Sequence, residues 1–359
     1  MRTQALQRGF GIMASPLACI DANVTTVEDW NRLPTDPLVS VCITTYNHEN
    51  FIAEAIEGVL MQATSFPYEI IVAEDKSTDG TREIVRDYQH RYPDTIRLRL
   101  AAENLYSKNK RYPAIGARNA ARGKYIAQCE GDDYWTDPEK LEKQTNFLEN
   151  HPNCTVCYTA AEILDNESGE ILQGVRKPDD VRRFYSLEYV LRNNPFSLAT
   201  AFYRREVCDK VPPWFYVGLN GDYCLLVLCA REGDVGYIDE KCAVHRRHEG
   251  GVHSPSDILE KFDEAVKTRR AILSGLEPHH RRILEAKIYS FNRRALRIAM
   301  DRANTSEVRK YARRCWTWLE HSSRKYIDAP LLASLAFYHP IMSTVLSSLR
   351  CWKRKWLEV

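Results

Sequence analysis

An α/β fold built on one mixed, mostly parallel sheet is what this sequence of 359 residues predicts. Three observations carry the prediction. Apolar runs at 39–45, 68–74, 96–100 and 124–130 have the length and composition of buried strands. Stretches with helical periodicity separate them, so each strand returns to the sheet through a right-handed crossover that joins parallel neighbours. The most polar landmarks, at 44–49, 74–79 and 130–133, fall just after the first, second and fourth runs, at the strand ends where open α/β sheets keep their ligand sites.

The elements follow in order. Residues 1–36 show no clear periodicity and read as an N-terminal extension draped over the body, and Pro37 opens the alternating region. After the first strand, Ile52, Ile56, Val59 and Leu60 share one helical face. After the second, Ile84, Val85 and Tyr88 do the same behind Asp79-Gly80-Thr81, where Asp79 is expected to cap the helix. The fourth run ends in Cys129-Glu130-Gly131-Asp132-Asp133. Trp135-Thr136-Asp137-Pro138 then predicts a further helix, with Asp137 as its cap and Pro138 in its first turn. Runs at 154–163 and 171–175, joined across Asp165-Asn166-Glu167-Ser168-Gly169, read as a hairpin attached to the sheet. From about Ser256 nearly everything is helical and basic. The expected organisation is an extension at 1–36, an α/β domain at 37–255 and a helical region at 256–359.

Charge is unevenly spread along this chain. Residues 261–359 hold 21 Lys and Arg against 9 Asp and Glu, whereas residues 1–260 hold 29 against 39, so a formal net charge of +2 hides an acidic body and a basic C-terminal region. Pro330 to Leu349 carries no formal charge and is about as long as a membrane-spanning helix requires, and Arg350-Cys351-Trp352-Lys353-Arg354-Lys355-Trp356 follows it. Pro340 interrupts the stretch and Ser, Thr and His dilute it, which favours an interfacial or packed helix pair over a true span. The basic residues fit no nucleic-acid recognition motif. Eleven cysteines without a repeated framework, and no signal segment at the start, point to reduced thiols and a cytoplasmic location. Cys154 and Cys157 lie in a strand-like run, where a spacing of three sends them to opposite faces as structural thiols.

Asp132 and Asp133 are the most informative feature. Paired acids beside a strand terminus hold a divalent cation against the phosphates of a nucleotide, whereas an isolated Asp-Asp is more often a pair of solvated loop acids. No Gly-x-Gly-x-x-Gly follows the first strand and no Walker-type Gly-Lys-Ser/Thr occurs, which speaks against dinucleotide dehydrogenases and P-loop enzymes.

PLVSVCITTYNHENFIAEAIEGVLMQ, then YEIIVAEDKSTDGT, then ARGKYIAQCEGDDYW, in this order and spacing, resemble the family 2 inverting glycosyltransferases of the glycosyltransferase A fold. The likeness covers roughly 37–255. It implies that Thr44 and Tyr46 contact base and ribose, and that Asp75 hydrogen-bonds the base. Asp133 would be the direct metal ligand, with Asp132 nearer the ribose. Here the acids read Glu-Gly-Asp-Asp where many relatives have Asp-x-Asp-Asp, which leaves Glu130 behind the ligands. His248, in HRRHEGGVHS, matches a segment that closes over the donor and supplies a further ligand; its other reading is an exposed loop His. Asp222, in Asn220-Gly221-Asp222-Tyr223, matches the acid that deprotonates the acceptor, although a carboxylate at a helix start also serves as an N-cap.

Arg111 is the best candidate among the basic residues to touch the diphosphate or base. Trp135 reads either as a wall of the sugar site or as packing under the next helix, and Trp214, Phe215 and Tyr216 as lining of the acceptor cleft. The cofactor expected is Mn²⁺ or Mg²⁺. The implied reaction moves a sugar, with UDP as the favoured carrier, to a saccharide or lipid-linked saccharide in surface polysaccharide or glycoconjugate assembly, at the inner face of a membrane with an anionic surface. Oligomeric state stays open. The alternatives are a sugar nucleotidyltransferase and an inactive module that binds membranes or anions.

Overall fold

The computed structural model describes residues 23–209, 211–250 and 258–321. The chain divides into two compact units, one ending at Pro255 and one beginning at Ser256. In the first, β1 (Val24–Val27) precedes β2 (Val39–Thr45), α1 (Ile52–Leu60), β3 (Tyr68–Glu74), α2 (Thr81–Arg91) and β4 (Ile96–Ala101). Next come α3 (Leu105–Lys108), α4 (Tyr112–Asn119), β5 (Tyr125–Glu130), β6 (Tyr134–Trp135) and α5 (Lys140–Asn150). The hairpin β7 (Cys154–Asp165) and β8 (Ile171–Arg176) leads to β9 (Phe184–Tyr185), α6 (Leu187–Arg192) and β10 (Phe202–Arg204). The unit closes with α7 (Trp214–Val217), α8 (Gly221–Glu232) and β11 (Asp234–Arg247).

One sheet runs β1-β4-β3-β2-β5-β10-β7-β11-β6. Strands β4, β3, β2 and β5 are parallel, and their apolar residues are buried on both faces, as central strands of an α/β sheet require. Chain order moves outward from β2 to β3 and β4 and then returns to β5 on the other side of β2. That reversal opens a crevice beyond the carboxyl ends of β2 and β5. Register makes the ends level: Thr44 pairs with Glu130 and Thr45 with Glu74. On the far side β11 runs parallel to β7, and β6 lies antiparallel to β11 with Val244 opposite Tyr134, so the residue before β6 stands beside the end of β11.

Two local expectations shift. Val24–Val27, expected within a drape-like extension, forms the edge strand and pairs antiparallel with β4. Its β-branched Val-Thr-Thr-Val run supplies hydrogen bonds that the outer edge of β4 would otherwise lack. The helix expected from Asp137 starts at Lys140 instead, because pairing with β11 holds Tyr134 and Trp135 extended. Asp137 Oδ1 accepts the Glu139 N–H at 2.9 Å in the turn before the helix, and Gln62 Oε1 takes the Leu141 N–H at 3.0 Å, the task assigned to the cap.

The second unit contains α9 (Ile258–Leu273), α10 (Pro278–Asp301) and α11 (Thr305–His321), which share a core of Leu259, Leu296, Ala299, Val308, Tyr311 and Cys315. Asp263 ties α9 to α11, accepting from Tyr311 Oη at 3.0 Å and from Arg314 and Lys310 at 2.6 and 2.7 Å. Among the described residues no helix is long and apolar enough to cross a membrane. Pro330–Leu349 and the Trp-rich basic run after it lie outside the described residues.

Candidate active site

Two crossed loops form the wall of the crevice. Asn47 and Lys76 take the left-handed conformation at φ 54° and 63°, one in each loop. Asn47 Oδ1 accepts the Thr78 N–H at 2.8 Å, its own N–H donates to Ser77 Oγ at 3.0 Å, and Glu49 Oε2 accepts the Gly80 N–H at 2.7 Å. Asp79 Oδ1 accepts the Thr81 N–H at 3.0 Å in the turn before α2, but Gly80 holds the cap position and no side chain caps the helix, so the expected Asp79 cap is not formed. This bracing fixes the loops before any ligand arrives.

On this wall Thr44 is half-buried and its carbonyl accepts the Gly131 N–H at 2.9 Å, while Tyr46 is 38% exposed at the rim. Asp75 is buried, and its oxygens accept the N–H groups of Leu105 and Tyr106 at 2.7 and 2.9 Å. Burial lifts its carboxyl above the usual range, and the two backbone bonds only partly offset this. A carboxylate offers about four lone-pair sites, and these two bonds occupy half of them.

The paired acids part ways. Antiparallel β6 places Asp133 beside His245, whose Nδ1 lies 3.1 Å from both Asp133 oxygens, and the Arg246 N–H donates to Asp133 Oδ1 at 2.9 Å. Asp133 has no exposed surface. Burial opposes charge on His245, yet the Asp133 hydrogen bond outweighs it and raises the imidazole above its ordinary value. Arg246 stacks over Tyr134 at 4.4 Å, pairs with Glu54 and donates to the Asp132 carbonyl at 3.0 Å, clamping this loop onto α1.

Asp132 faces the other way, into the crevice. Its Oδ2 lies 3.2 Å from His248 Nε2 and 3.9 Å from His48 Nε2. Burial weighs against its ionisation, but the His248 hydrogen bond and the His48 ring prevail and hold the carboxyl below the usual range. One ligand atom from each of His48, Asp132 and His248 falls within 4.8 Å of the others. Burial pushes His48 below its ordinary value, against the pull of Asp132. Gly131 permits this approach: a Cβ there would meet Thr45 Oγ1 at 2.6 Å and His48 Nδ1 at 2.8 Å.

Asp222 occupies the first turn of α8 but does not cap it. Asn220 Oδ1 takes the Tyr223 N–H at 2.9 Å, and Asp222 stays half-buried without a hydrogen-bond partner among the described residues. Glu130 sits between the two clusters; burial first, then the charges of Asp222, Asp132 and Asp133, push its carboxyl well above the usual range. Arg111 is 2% exposed, with Phe215 at 4.0 Å over its guanidinium and its two terminal nitrogens without hydrogen-bond partners among the described residues. Burial lowers its pKa.

The aromatic residues divide between core and rim. Trp135 is core, donating to the Ala199 carbonyl at 2.8 Å beneath Lys140, so it is no wall of a sugar site. Trp214 and Phe215 are likewise buried, and only Tyr216 keeps partial exposure. His48, His245 and Glu54 were not singled out from sequence, although His48 lies with Tyr46 in the loop that follows Thr44 and the end of β2. Cys154 and Cys157 are both buried thiols.

A family model described as glycosyl transferase family 2 matches residues 40–211. An uncharacterized protein of Mycobacterium tuberculosis, Rv1520, is 35% identical over 251 residues, covering 68% of this chain and 70% of that protein. The chain belongs to glycosyl transferase family 2. Among solved structures, Staphylococcus aureus TarS 1–349 in complex with UDP-GlcNAc superposes with a TM-score of 0.52 at 20% identity, over 69% of this chain and 70% of TarS. The mannosyltransferase PcManGT of Pyrobaculum calidifontis, in complex with GDP-Man and Mn²⁺, gives 0.52 at 20% identity, over 90% of this chain and 84% of that one. These likenesses establish the glycosyltransferase A type of fold for the transferase. Membership replaces the nucleotidyltransferase and inactive-module alternatives. Asp222 and His248 lie beyond the stretch that the family model matches.

Proposed function

We propose that this glycosyltransferase transfers a sugar from a nucleoside diphosphate sugar to a saccharide hydroxyl with inversion, in a single displacement that Asp222 assists as base. The observation that carries this reading is the pairing, at one end of the sheet, of a donor set for a cation (Asp132 and His248) with a carboxylate that has no hydrogen-bond partner among the described residues (Asp222). A base in an inverting transfer must be free to take a proton, and a carboxylate already committed to a cap or an ion pair is not.

Thr44, Tyr46 and Asp75 line the loops where base and ribose would lie, and UDP is the carrier favoured by the motif resemblance. TarS binds UDP-GlcNAc and PcManGT binds GDP-Man, so a nucleotide-sugar donor agrees with both neighbours, while the base itself rests on the motif. Asp222 removes the acceptor proton as the oxygen attacks the anomeric carbon; the bond from that carbon to the diphosphate breaks and the electron pair leaves on phosphate. A bound Mn²⁺ or Mg²⁺ supplies Lewis-acid neutralisation of that charge. Asp132 and His248 fit such an ion, being one carboxylate and one imidazole aimed at a common point. Asp133, expected as the direct ligand, is held by His245 Nδ1 and the Arg246 N–H, and in this reading it orients the loop while Asp132 takes the ion. Arg111 is the chain's own cation for the diphosphate. The basic C-terminal region supports a lipid-linked acceptor at an anionic membrane surface.

The test is product stereochemistry and turnover with Asp222→Asn. Wild type should convert an α-linked donor to a β-linked product, and the variant should lose on the order of 10²–10⁴ in kcat with donor affinity kept. Retention of configuration, or undiminished turnover in the variant, defeats the assignment.

A further inference from the structure

We infer that His48 completes a three-ligand centre with Asp132 and His248 that takes a borderline transition ion of the Mn²⁺, Co²⁺ or Zn²⁺ class directly from solution, before the nucleotide, and discriminates against Mg²⁺. The inference rests on the proposed donor site and adds to it a ligand, an order of binding and a metal class.

Geometry points to His48. Its Nε2 is 3.9 Å from Asp132 Oδ2, the same oxygen that His248 Nε2 meets at 3.2 Å. Donor atoms sharing an ion at about 2.1 Å stand roughly 3.0–3.4 Å apart, so closure by about an ångström brings the three into one coordination sphere. His48 is also held as a metal-binding imidazole is held. Its far nitrogen, Nδ1, lies 3.3 Å from Thr45 Oγ1, and its backbone N–H donates to Thr81 Oγ1 at 2.8 Å. A hydrogen bond on the nitrogen away from the metal fixes ring orientation. The Phe51 ring packs at 4.7 Å against His248 and 6.3 Å from His48, closing the apolar side of the cluster. Gly131 leaves no side chain between the Asp132 loop and the His48 loop.

Chemistry then sets selectivity and order. Mg²⁺ demands oxygen ligands in near-ideal octahedral geometry and keeps its water, whereas imidazole favours later first-row ions. Two imidazoles of three ligands therefore disfavour Mg²⁺. A site with a single carboxylate depends on the substrate's phosphates for most of its coordination, so its ion arrives with the nucleotide. Three protein ligands bind an ion without that help.

The experiment uses the full chain, stripped with a chelator, and titrates MnCl₂, CoCl₂ and MgCl₂ without nucleotide. Free Mn²⁺ is read by electron paramagnetic resonance and bound Co²⁺ by its visible absorption. Saturable one-to-one binding of Mn²⁺ and Co²⁺, not displaced by equimolar Mg²⁺, is expected. His48→Gln should weaken Mn²⁺ binding by at least about 10–100-fold, the range lost even with an outer hydrogen-bond partner, and should alter the Co²⁺ spectrum. Should Mn²⁺ bind only when UDP is added, should Mg²⁺ compete equally, or should a folded His48→Gln protein bind Mn²⁺ like wild type, the inference fails while the donor reading stands. The wild-type titrations decide order and selectivity even if the variant does not fold. Absence of nucleotide-sugar binding with every metal defeats the donor reading, and this inference with it.

Discussion

Replacing Arg111 with Met should stabilise the ligand-free transferase and weaken its grip on the donor. The guanidinium is 2% exposed and its two terminal nitrogens find no hydrogen-bond acceptor among the described residues. Each unsatisfied buried donor group costs about 1–3 kcal/mol, and more when charged. The Phe215 ring at 4.0 Å returns roughly 0.5–2 kcal/mol as a cation–π contact. Methionine keeps much of the apolar stem and the contact with the ring while shedding the charge. The balance is a gain of about 2 kcal/mol, which for a unit of this size raises Tm by roughly 4–8 °C. With UDP and Mn²⁺ added, wild type should gain stability by mass action and the variant should gain far less, since the diphosphate loses its buried cation. Differential scanning fluorimetry with and without ligand reads both effects. A variant that melts below wild type without ligand would show that Arg111 is a structural group; an unchanged nucleotide shift would remove it from the donor site.

Three further outcomes follow from the same structure. Lys140 is wholly buried, over Trp135 at 3.8 Å and bonded to Gln144 Oε1 at 2.7 Å, and burial pushes its pKa down to about 8 from 10.5. Between those values the unfolded chain holds a proton that the folded one has released, so stability rises with pH across that window, and below pH 8 the full penalty of about 3 kcal/mol stands. Urea unfolding of Lys140→Met should show a gain of roughly 1–2 kcal/mol at pH 7, after the lost Gln144 bond, that disappears by pH 10; a gain independent of pH refutes the buried charge. Asp133→Asn should cost on the order of 3 kcal/mol, because it breaks a buried pair with His245, while Asp132→Asn should change stability by less than about 1 kcal/mol and abolish metal binding; thermal melts that rank the two variants the other way reverse their roles. Neutralising Lys353, Arg354 and Lys355 to Gln should lower partition onto anionic phosphatidylserine vesicles by on the order of 10², and cosedimentation unaffected by charge or salt would rule out the membrane surface.

The parallel core was legible because its strands are buried on both faces and read as uninterrupted apolar runs. The bounds 39–45 and 68–74 agree with β2 and β3 residue for residue. Helix faces carried by Ile52, Ile56 and Val59 were equally plain, since one stripe of a crossover helix must cover the sheet. Edges were harder. The four residues of β1 are too few to show a period, and the start of α5 depends on pairing between β6 and a strand more than a hundred residues later. Nothing local to Trp135-Thr136-Asp137-Pro138 reports that partner.

The division of labour between Asp132 and Asp133 was hidden for the same reason. Adjacent residues entering a strand point to opposite sides. Which side faces the crevice is decided by the antiparallel pairing of β6 with β11, and that pairing puts His245 against Asp133 and His248 against Asp132. Two acids and two histidines are thus sorted into two pairs, the fully buried Asp133 with His245 and the partly exposed Asp132 with His248. Burial and the neighbouring charges of Asp222, Asp132 and Asp133 push the Glu130 carboxyl well above the usual range, which eases the crowding of carboxylates at this end of the sheet. A cation at Asp132, as proposed above, would lower that crowding further.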